Sequence, residues 1–507
     1  MKKKQLRWTL WTIASPFILF IILCILIYLP PIQNFLVDKA AVYASEATGM
    51  NISVGRISLS FPLNLVVTDV DAASPHKDTL LSVRRLQVNV QLLPLLKKQV
   101  EVDGISLQGA TVNSNDLIHG MKLNGTLGEL FISSHGVALD PETAIVNKVL
   151  LKDTDLSLCL NDTAAADTAA SDTTYWKIIL QDIDLQNVSF ALDMPLDSLS
   201  LAASLDNAIL RDGLIDLHKS AYSLQTFRIE NGRVRYDNGK PLAADSLSSG
   251  LDPSHIALTD IGVKLDSLYY GGRNMKAIIS QFVLKERSGV EIVSATGRMV
   301  SNDKVLRVPS LKLETRDSYL ELNAAMDWNA LDFKGEGLMS ARLMADIGKP
   351  DVVRFMGRMD EKFVRQYPSE PLRIRTGIDG DLNKLKLTTL TAELPGALGL
   401  FARGELTHLT DSLLRGGDIT LEAETKDLKF VSTLAEGIEI PYGTRLEGKF
   451  TMAGAKMGTD LLLMQPEAQA VAAADTIPIT VYNDSISVAD DFKMERAARL
   501  FAKYDLS

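Results

Sequence analysis

The sequence predicts an all-β protein: an N-terminal transmembrane helix followed by an elongated, curled antiparallel β-sheet, a repeating β-groove, with a few short helices. Three observations predict it. A charge-free apolar run from Trp8 to Leu29 follows a basic tip. Beyond Gly49 the hydrophobic pattern has period two, which sets one family of side chains on one sheet face. Within that alternation a phase recurs, with apolar residues at i, i+2, i+5 and i+7.

The tip carries Lys2, Lys3, Lys4 and Arg7, and the apolar run closes on Pro30-Pro31. A spanning helix needs about 20 mostly apolar residues, and its cationic flank stays on the cytoplasmic side. A cleaved signal peptide would have a shorter apolar run, about 7–15 residues, ending in small residues. Here the run ends in Tyr28-Leu29-Pro30-Pro31, so the expectation is an uncleaved anchor. The chain then crosses the membrane once, with its N-terminus cytoplasmic and its body on the far side. Ile32 to Ala47 reads as a short helix with Phe35, Leu36, Ala40 and Tyr43 along one side.

The recurring phase appears first at Ile105, Leu107, Ala110 and Val112. It returns at Val149, Leu151, Thr154 and Leu156, continuing through Leu158 and Leu160, and at Ile183, Leu185, Val188 and Phe190. Three further instances are Phe227, Ile229, Gly232, Val234; then Ile256, Leu258, Ile261, Val263; then Leu306, Val308, Leu311, Leu313. The step of three breaks parity. The apolar set stays on one face only if the strand carries a β-bulge or turns a tight corner there. Gly109, Asp153, Asn187 and Asn231 occupy that gap, residue types that suit a bulge or turn.

Two stretches interrupt the strands. Asn161 to Thr174 is poor in apolar bulk and reads as a disordered low-complexity loop. Asp351 to Tyr367 spaces Val352, Val353, Phe355, Met356, Met359 and Phe363 as one amphipathic helix. Asp490 to Tyr504 is a second candidate helix, read as packing on a core. The expected organisation is a tip and anchor over 1–31, a first β region over 32–160, the loop over 161–174 and strand–kink–strand units over 175–340. A helical insertion over 341–370 and further strands over 371–464 follow, and 465–507 fits the strand pattern poorly.

Composition limits the chemistry. The net charge is −10, and without the four cations of the tip 49 basic residues face 63 acidic ones, a balance of −14. An acidic body argues against nucleic acid, which selects basic faces. Of two cysteines, Cys24 lies in the apolar run, which leaves Cys159 without an intramolecular partner. The six histidines are scattered singly, without zinc spacing. Asp69/Asp71 and Asp182/Asp184 each project from one strand face and read as solvated. Gly271-Gly272-Arg273 lacks the further glycines of a phosphate loop, and no Gly-x-Ser-x-Gly elbow occurs. No catalytic, metal or cofactor constellation is expected, and the chain reads as a non-enzyme.

What remains is surface. A sheet with one apolar face must cover it, yet helical patterns are few for so much strand. A sheet curled into a trough would leave that face open to acyl chains, with Ile105, Leu107, Val112, Leu151, Leu156, Leu158, Ile183 and Leu185 as candidate lining. Val188, Phe190, Ile229, Val234, Ile261, Val263, Leu311 and Leu313 extend that set. A closed sandwich would fill the same face. A second class of function is a scaffold whose sheet edges pair with client strands. A glycan-binding adhesin ranks last, because aromatics at 6% are sparse for sugar stacking.

The order of features resembles the AsmA-like/TamB family of envelope proteins, whose TamB members are the inner-membrane subunit of the translocation and assembly module. The resemblance rests on the anchor, the helix ending Ala44-Ser45-Glu46-Ala47-Thr48-Gly49, and the segments Ile52 to Leu59, Leu65 to Val70, Leu86 to Leu96 and Val100 to Val112. It implies a curled, taco-shaped β-sheet with a greasy interior in a periplasmic protein anchored single-pass in the inner membrane, N-terminus cytoplasmic and body periplasmic. It also implies phospholipid cargo moving between inner and outer membranes, a role in outer-membrane protein assembly, and a barrel partner of the Omp85 class (TamA- or BamA-like). Long members end in a domain that reaches that barrel, for which residues after about Gln465 present no recognisable counterpart.

Overall fold

The structure is a computed structural model. It describes Lys39, Ala41, Val42, Ser45, Glu46 and residues 50–466 and 495–505, apart from 61–63, 75–78, 92–101, 115–119, 139–141, 162–175, 240–249, 332–335, 358, 435–441 and 455. The apolar run 8–29 and nearly all of the low-complexity segment 161–174 lie outside these residues. Among the described residues no helix is long and apolar enough to cross a membrane. The five described residues of the helix expected over 32–47 are helical, and Ser45 Oγ accepts the Ile52 N–H at 3.0 Å.

The fold is all-β, in two compact units, Met1–Lys240 and Pro241–Ser507. The first holds β1 (Asn51–Ser60), β2 (Asn64–Ala73), β3 (Thr79–Val90), β4 (Val102–Asn113), β5 (Met121–Ala138) and β6 (Thr143–Leu160). It continues with β7 (Lys177–Met194), β8 (Leu199–Asp216), β9 (Ala221–Leu224) and β10 (Thr226–Asn238). Neighbours in sequence pair antiparallel from β1 to β6, and β8 pairs antiparallel with β7. Both β9 and β10 lie against β8 in one register and form a single strand interrupted at Gln225.

One pair departs from the expected antiparallel order: β6 and β7 run parallel, Thr143 opposite Lys177 and Cys159 opposite Asp193. A parallel neighbour needs a connection of a dozen or more residues. The stretch between Leu160 and Lys177 supplies it.

The second unit is a meander of β11 (His255–Gly271), β12 (Asn274–Glu286), β13 (Glu291–Ser301), β14 (Val305–Thr315), β15 (Tyr319–Asp327), β16 (Met339–Ile347) and β17 (Leu372–Gly380). The meander continues with β18 (Lys384–Leu394), β19 (Leu398–Thr407), β20 (Gly416–Thr425), β21 (Arg445–Ala453), β22 (Lys456–Pro466) and β23 (Glu495–Asp505). The helix expected over 490–504 is therefore a strand over its described part, paired antiparallel with β22. Its sequence alternates Ala498, Leu500, Ala502, Tyr504 as readily as it winds. The unpaired N–H and C=O groups along β22 offer hydrogen bonds that an isolated helix would leave unmade.

The single helix expected over 351–367 is broken in two: α1 (Lys349–Met356) and α2 (Glu361–Gln366). Gly357 ends α1 at φ 74°, a conformation that favours glycine. Asp360 then caps α2 by accepting the Lys362 N–H at 2.7 Å. The break turns Phe363 inward, where it is 1% exposed. Phe363, Tyr367 and Phe430 pack in tilted and edge-to-face contacts with centroids 5.1–5.8 Å apart. They pack with Leu394, Ala397 and Leu428, and with half-buried Leu372 and Leu398. Leu372, Leu394 and Leu398 share the sheet face of Ile374, Ala392 and Leu400, so the helical segment caps the strand ends on that face. Asp351, 1% exposed, anchors α1: it accepts from Thr315 Oγ1, from Ser318 Oγ at 2.7 Å, and pairs with Arg354 at 3.0 Å.

Candidate functional site

Residues directly opposite on adjacent strands project from the same face, so the register of the first unit can be followed as rows running across the strands. One row reads Leu59, Leu65, Val88, Ile105, Ile132, Val149, Ile183, Leu210, Phe227. A second reads Ile57, Val67, Leu86, Leu107, Leu130, Leu151, Leu185, Ala208, Ile229. Both are apolar on all nine strands. Val112, Leu156, Phe190 and Val234 fall on a further row, Val188 on the row from Val54 to Leu205, and Leu158 beside Leu123 and Leu192. The structure thus brings twelve of the sixteen predicted lining residues onto one face of one unit.

The opposite face is mostly polar, although Val66, Phe131, Leu150 and Ile209 interrupt the row between the first two apolar rows. One of its rows runs Arg56, Thr68, Arg85, Gln108, Glu129, Lys152, Gln186, Asn207, Glu230, and another Ser53, Asp71, Ser82, Thr111, Thr126, Asp155, Ser189, Ser204, Arg233.

Between the second and third apolar rows lies a line of residues that the ladder skips on every strand: Gly55, Asp69, Arg84, Gly109, Gly128, Asp153, Asn187, Asp206 and Asn231. From β1 to β8 each skipped residue faces another, so register is unchanged across the line. It is a shared corner, a crease in the sheet, rather than a bulge in single strands. Asp69, Gly109, Asp153, Asn187 and Asn231 are left-handed there, φ 50–61°. All five sit on strands of one direction, and the parallel pair β6–β7 keeps that rule by carrying one on each strand. Strands of the other direction cross the crease with Gly55, Arg84, Gly128 and Asp206.

The crease bends toward the apolar face. Val83, Ala110 and Thr154, next to it on that face, are buried, whereas Asp69, Arg84, Asp153, Asn187 and Asp206 are exposed. Asn187 Nδ2 donates to Asp153 Oδ1 at 2.9 Å, and Asn231 likewise to Asp206. The result is a concave apolar surface behind a polar spine. Its rows stay open: every predicted lining residue is half-buried or exposed, Phe190 at 38% and Ile105 at 36%.

Beyond the four strands of this unit whose phase is plain in the sequence, five more carry it: 52/54/57/59, 65/67/70/72, 81/83/86/88, 125/127/130/132 and 203/205/208/210. Alanine and glycine at apolar positions hid β5 and β8. A second crease, without a signal in the alternation, lies where the ladder skips Asn147, Gln181, Asp212 and Gln225. Asp212 is left-handed at φ 50°.

The second unit has an apolar row of its own through Leu313, Leu320, Ala345, Ile374, Ala392 and Leu400, with Leu311, Leu322, Leu343, Thr376, Leu390 and Ala402 beside it. Its kinks are true bulges, with register shifts at Asp260–Ile261 ahead of Val263 and at Pro309–Ser310 ahead of Leu311. Lys285 Nζ reaches Asp260 at 2.7 Å, and this contact raises the lysine above its ordinary value. Among the described residues no cluster of three or more His, Cys, Asp or Glu has metal-binding geometry, and Cys159 is a free thiol. Comparison of the chain with protein-family models, with curated proteins and with solved structures gives no match to any of them.

Proposed function

We propose that the chain is a non-catalytic, inner-membrane-anchored periplasmic protein whose concave apolar face shelters lipid acyl chains passing between the inner and outer membranes. One observation carries this reading. Apolar rows cross nine consecutive strands on the concave side of a creased sheet, half-open, while the convex side is mostly polar. A soluble domain ordinarily covers such a face, because contiguous apolar patches of more than a few hundred Å² mark binding surfaces. Acyl chains would gain the burial that the protein withholds, roughly 0.8 kcal/mol per CH₂. The basic tip and apolar run 8–29 would fix one end where lipid is taken up. A barrel of the Omp85 class would be the outer-membrane partner, with outer-membrane protein assembly as the related role.

The test is lipid extraction from the purified body lacking residues 1–31. Phospholipid should co-purify with it, and Asp at Ile183, Leu185, Phe190 and Val234 should abolish this while the far-UV signal of the sheet stays unchanged. Lipid-free protein, or charged variants that bind as before, would refute the reading.

A further inference from the structure

The second crease changes the cross-section of the trough partway along the first unit. It begins on β6, where Asn147 stands out of register with β5, and continues through Gln181, Asp212 and Gln225. On all four strands it lies six residues from the first: 147 and 153, 181 and 187, 206 and 212, 225 and 231. It bends the same way. Around Asp212 the order is apolar Leu210, polar Arg211, left-handed Asp212, then Gly213 on the apolar face, the order found at the first crease around Asn187. Gly213 is buried, and a Cβ there would stand 2.9 Å from Leu210 Cδ2 and 3.3 Å from Leu180 Cβ, whereas Asp212 is exposed.

From β1 to β4 the sheet therefore has two walls meeting at a corner, and β5 runs on past the second line, Ser134 opposite Val146 and Ala138 opposite Thr143, without a skipped residue facing Asn147. From β6 to β10 it has a floor, residues 148–152, 182–186, 207–211 and 226–230, between two walls. Arg211 stiffens that floor from the polar side, pairing with Asp182 and with Asp184 at 3.0 Å.

The widths differ in consequence. Six residues at about 3.3 Å each set the corners of the floor ~20 Å apart, whereas sheets packed face to face through interdigitated side chains lie only ~10 Å apart. The three-walled section thus leaves ~10 Å of clear width above its side chains. Hydrocarbon chains in van der Waals contact lie roughly 4–5 Å apart, so the gap takes two abreast. A two-walled corner narrows to its apex and offers no such floor.

We propose that the section between β6 and β10 is a discrete site for a pair of hydrocarbon chains side by side, and that Leu185 and Ile229 on its floor set its selectivity for two-chain over one-chain amphiphiles. This rests on the lipid-sheltering reading above.

The test uses the full chain reconstituted in phosphatidylglycerol vesicles doped with a photoactivatable phosphatidylglycerol, either diacyl or its monoacyl counterpart. Adducts on peptides covering 182–186 and 207–211 are quantified by mass spectrometry. Leu185→Trp, or Ile229→Trp as an independent variant, occupies the width of one chain. Diacyl adducts should fall at least about tenfold and monoacyl adducts change by less than about twofold. Leu107→Trp, in the two-walled section, should leave both yields on these peptides as in the wild type. Equal loss of both lipids in each floor variant, or no loss of the diacyl lipid, overturns the paired-chain site. Absence of adducts from either lipid on the unaltered chain refutes instead the lipid-sheltering reading.

Discussion

Replacing Asn187 by valine tests the crease most directly. Asn187 sits at φ 51° on β7, and its amide donates to Asp153 on β6 at 2.9 Å. The left-handed region costs an ordinary L-residue roughly 1–2 kcal/mol, and a β-branched side chain is a genuine outlier there. Asparagine tolerates it better, so part of that cost is new in the variant. Loss of an exposed hydrogen bond adds about 0.5–1 kcal/mol. The total is about 2 kcal/mol. In a unit of this size each kcal/mol moves the midpoint by about 2–4 °C, so Asn187→Val should unfold about 4–8 °C earlier. Asn187→Gly loses the hydrogen bond but removes the backbone conflict, and should stay within about 1 kcal/mol of the parent. Ser189→Val, two residues on in extended backbone on the polar face, should change stability by no more than about 0.5 kcal/mol. Thermal denaturation by far-UV circular dichroism measures the shift, with hydrogen exchange on β6–β8 peptides assigning it to the first unit. If valine is as stable as asparagine, or glycine as costly as valine, the left-handed corner is not what bends this sheet.

Other predictions concern the helical cap of the second unit. Phe363→Ala should cost about 3–5 kcal/mol through the cavity it leaves among Tyr367, Phe430 and Leu394, read as a lower midpoint and faster exchange in α1 and α2. Asp351→Ala removes the acceptor of the Thr315 and Ser318 hydroxyls at a buried position and leaves Arg354 with Asp317 alone, and should cost about 2 kcal/mol; Asp351→Asn, which keeps an acceptor, should cost less by the same assay. Burial raises the Tyr367 phenol above its ordinary value of 10.0. The folded state then holds a proton that the unfolded state releases, so this stability is full below pH 10 and is lost as pH rises through the raised value. Tyr367→Phe should flatten that alkaline decline. At the acid end, the Ser254 N–H and the His255 ring lower Asp252 below 3.8. Its contribution is present above that value and lost as pH falls through the lowered one, a loss that Asp252→Asn should remove from the acid titration.

Much of the candidate surface was legible because two-residue alternation is a local signal. Ile183, Leu185, Val188 and Phe190 announce a strand that keeps one face through a corner, and Asn187 in the gap announces the left-handed turn. The same logic failed at β5 and β8, where Gly125, Ala203 and Ala208 fill apolar positions without apolar bulk. It could not separate a corner from a bulge. That difference depends on what the neighbouring strand does opposite the kink: at Asp153 and Asn187 both strands turn together, whereas at Asp260–Ile261 β11 turns without a matching residue on β12. The helix expected over 351–367 failed for a local reason: periodicity persisted across Gly357, whose backbone ended the helix.

By itself the sequence determined the all-β class, the apolar and polar faces and the residue types that bend each strand, because these follow from side-chain alternation and backbone sterics within a few residues. Only the tertiary structure decided that the bends of nine strands fall on one line, that β6 and β7 lie parallel, that a second line opens six residues away, and that 495–505 extends the sheet. Each of these is a matter of register, and register is set by hydrogen bonds between residues tens of positions apart, where local pattern carries no information.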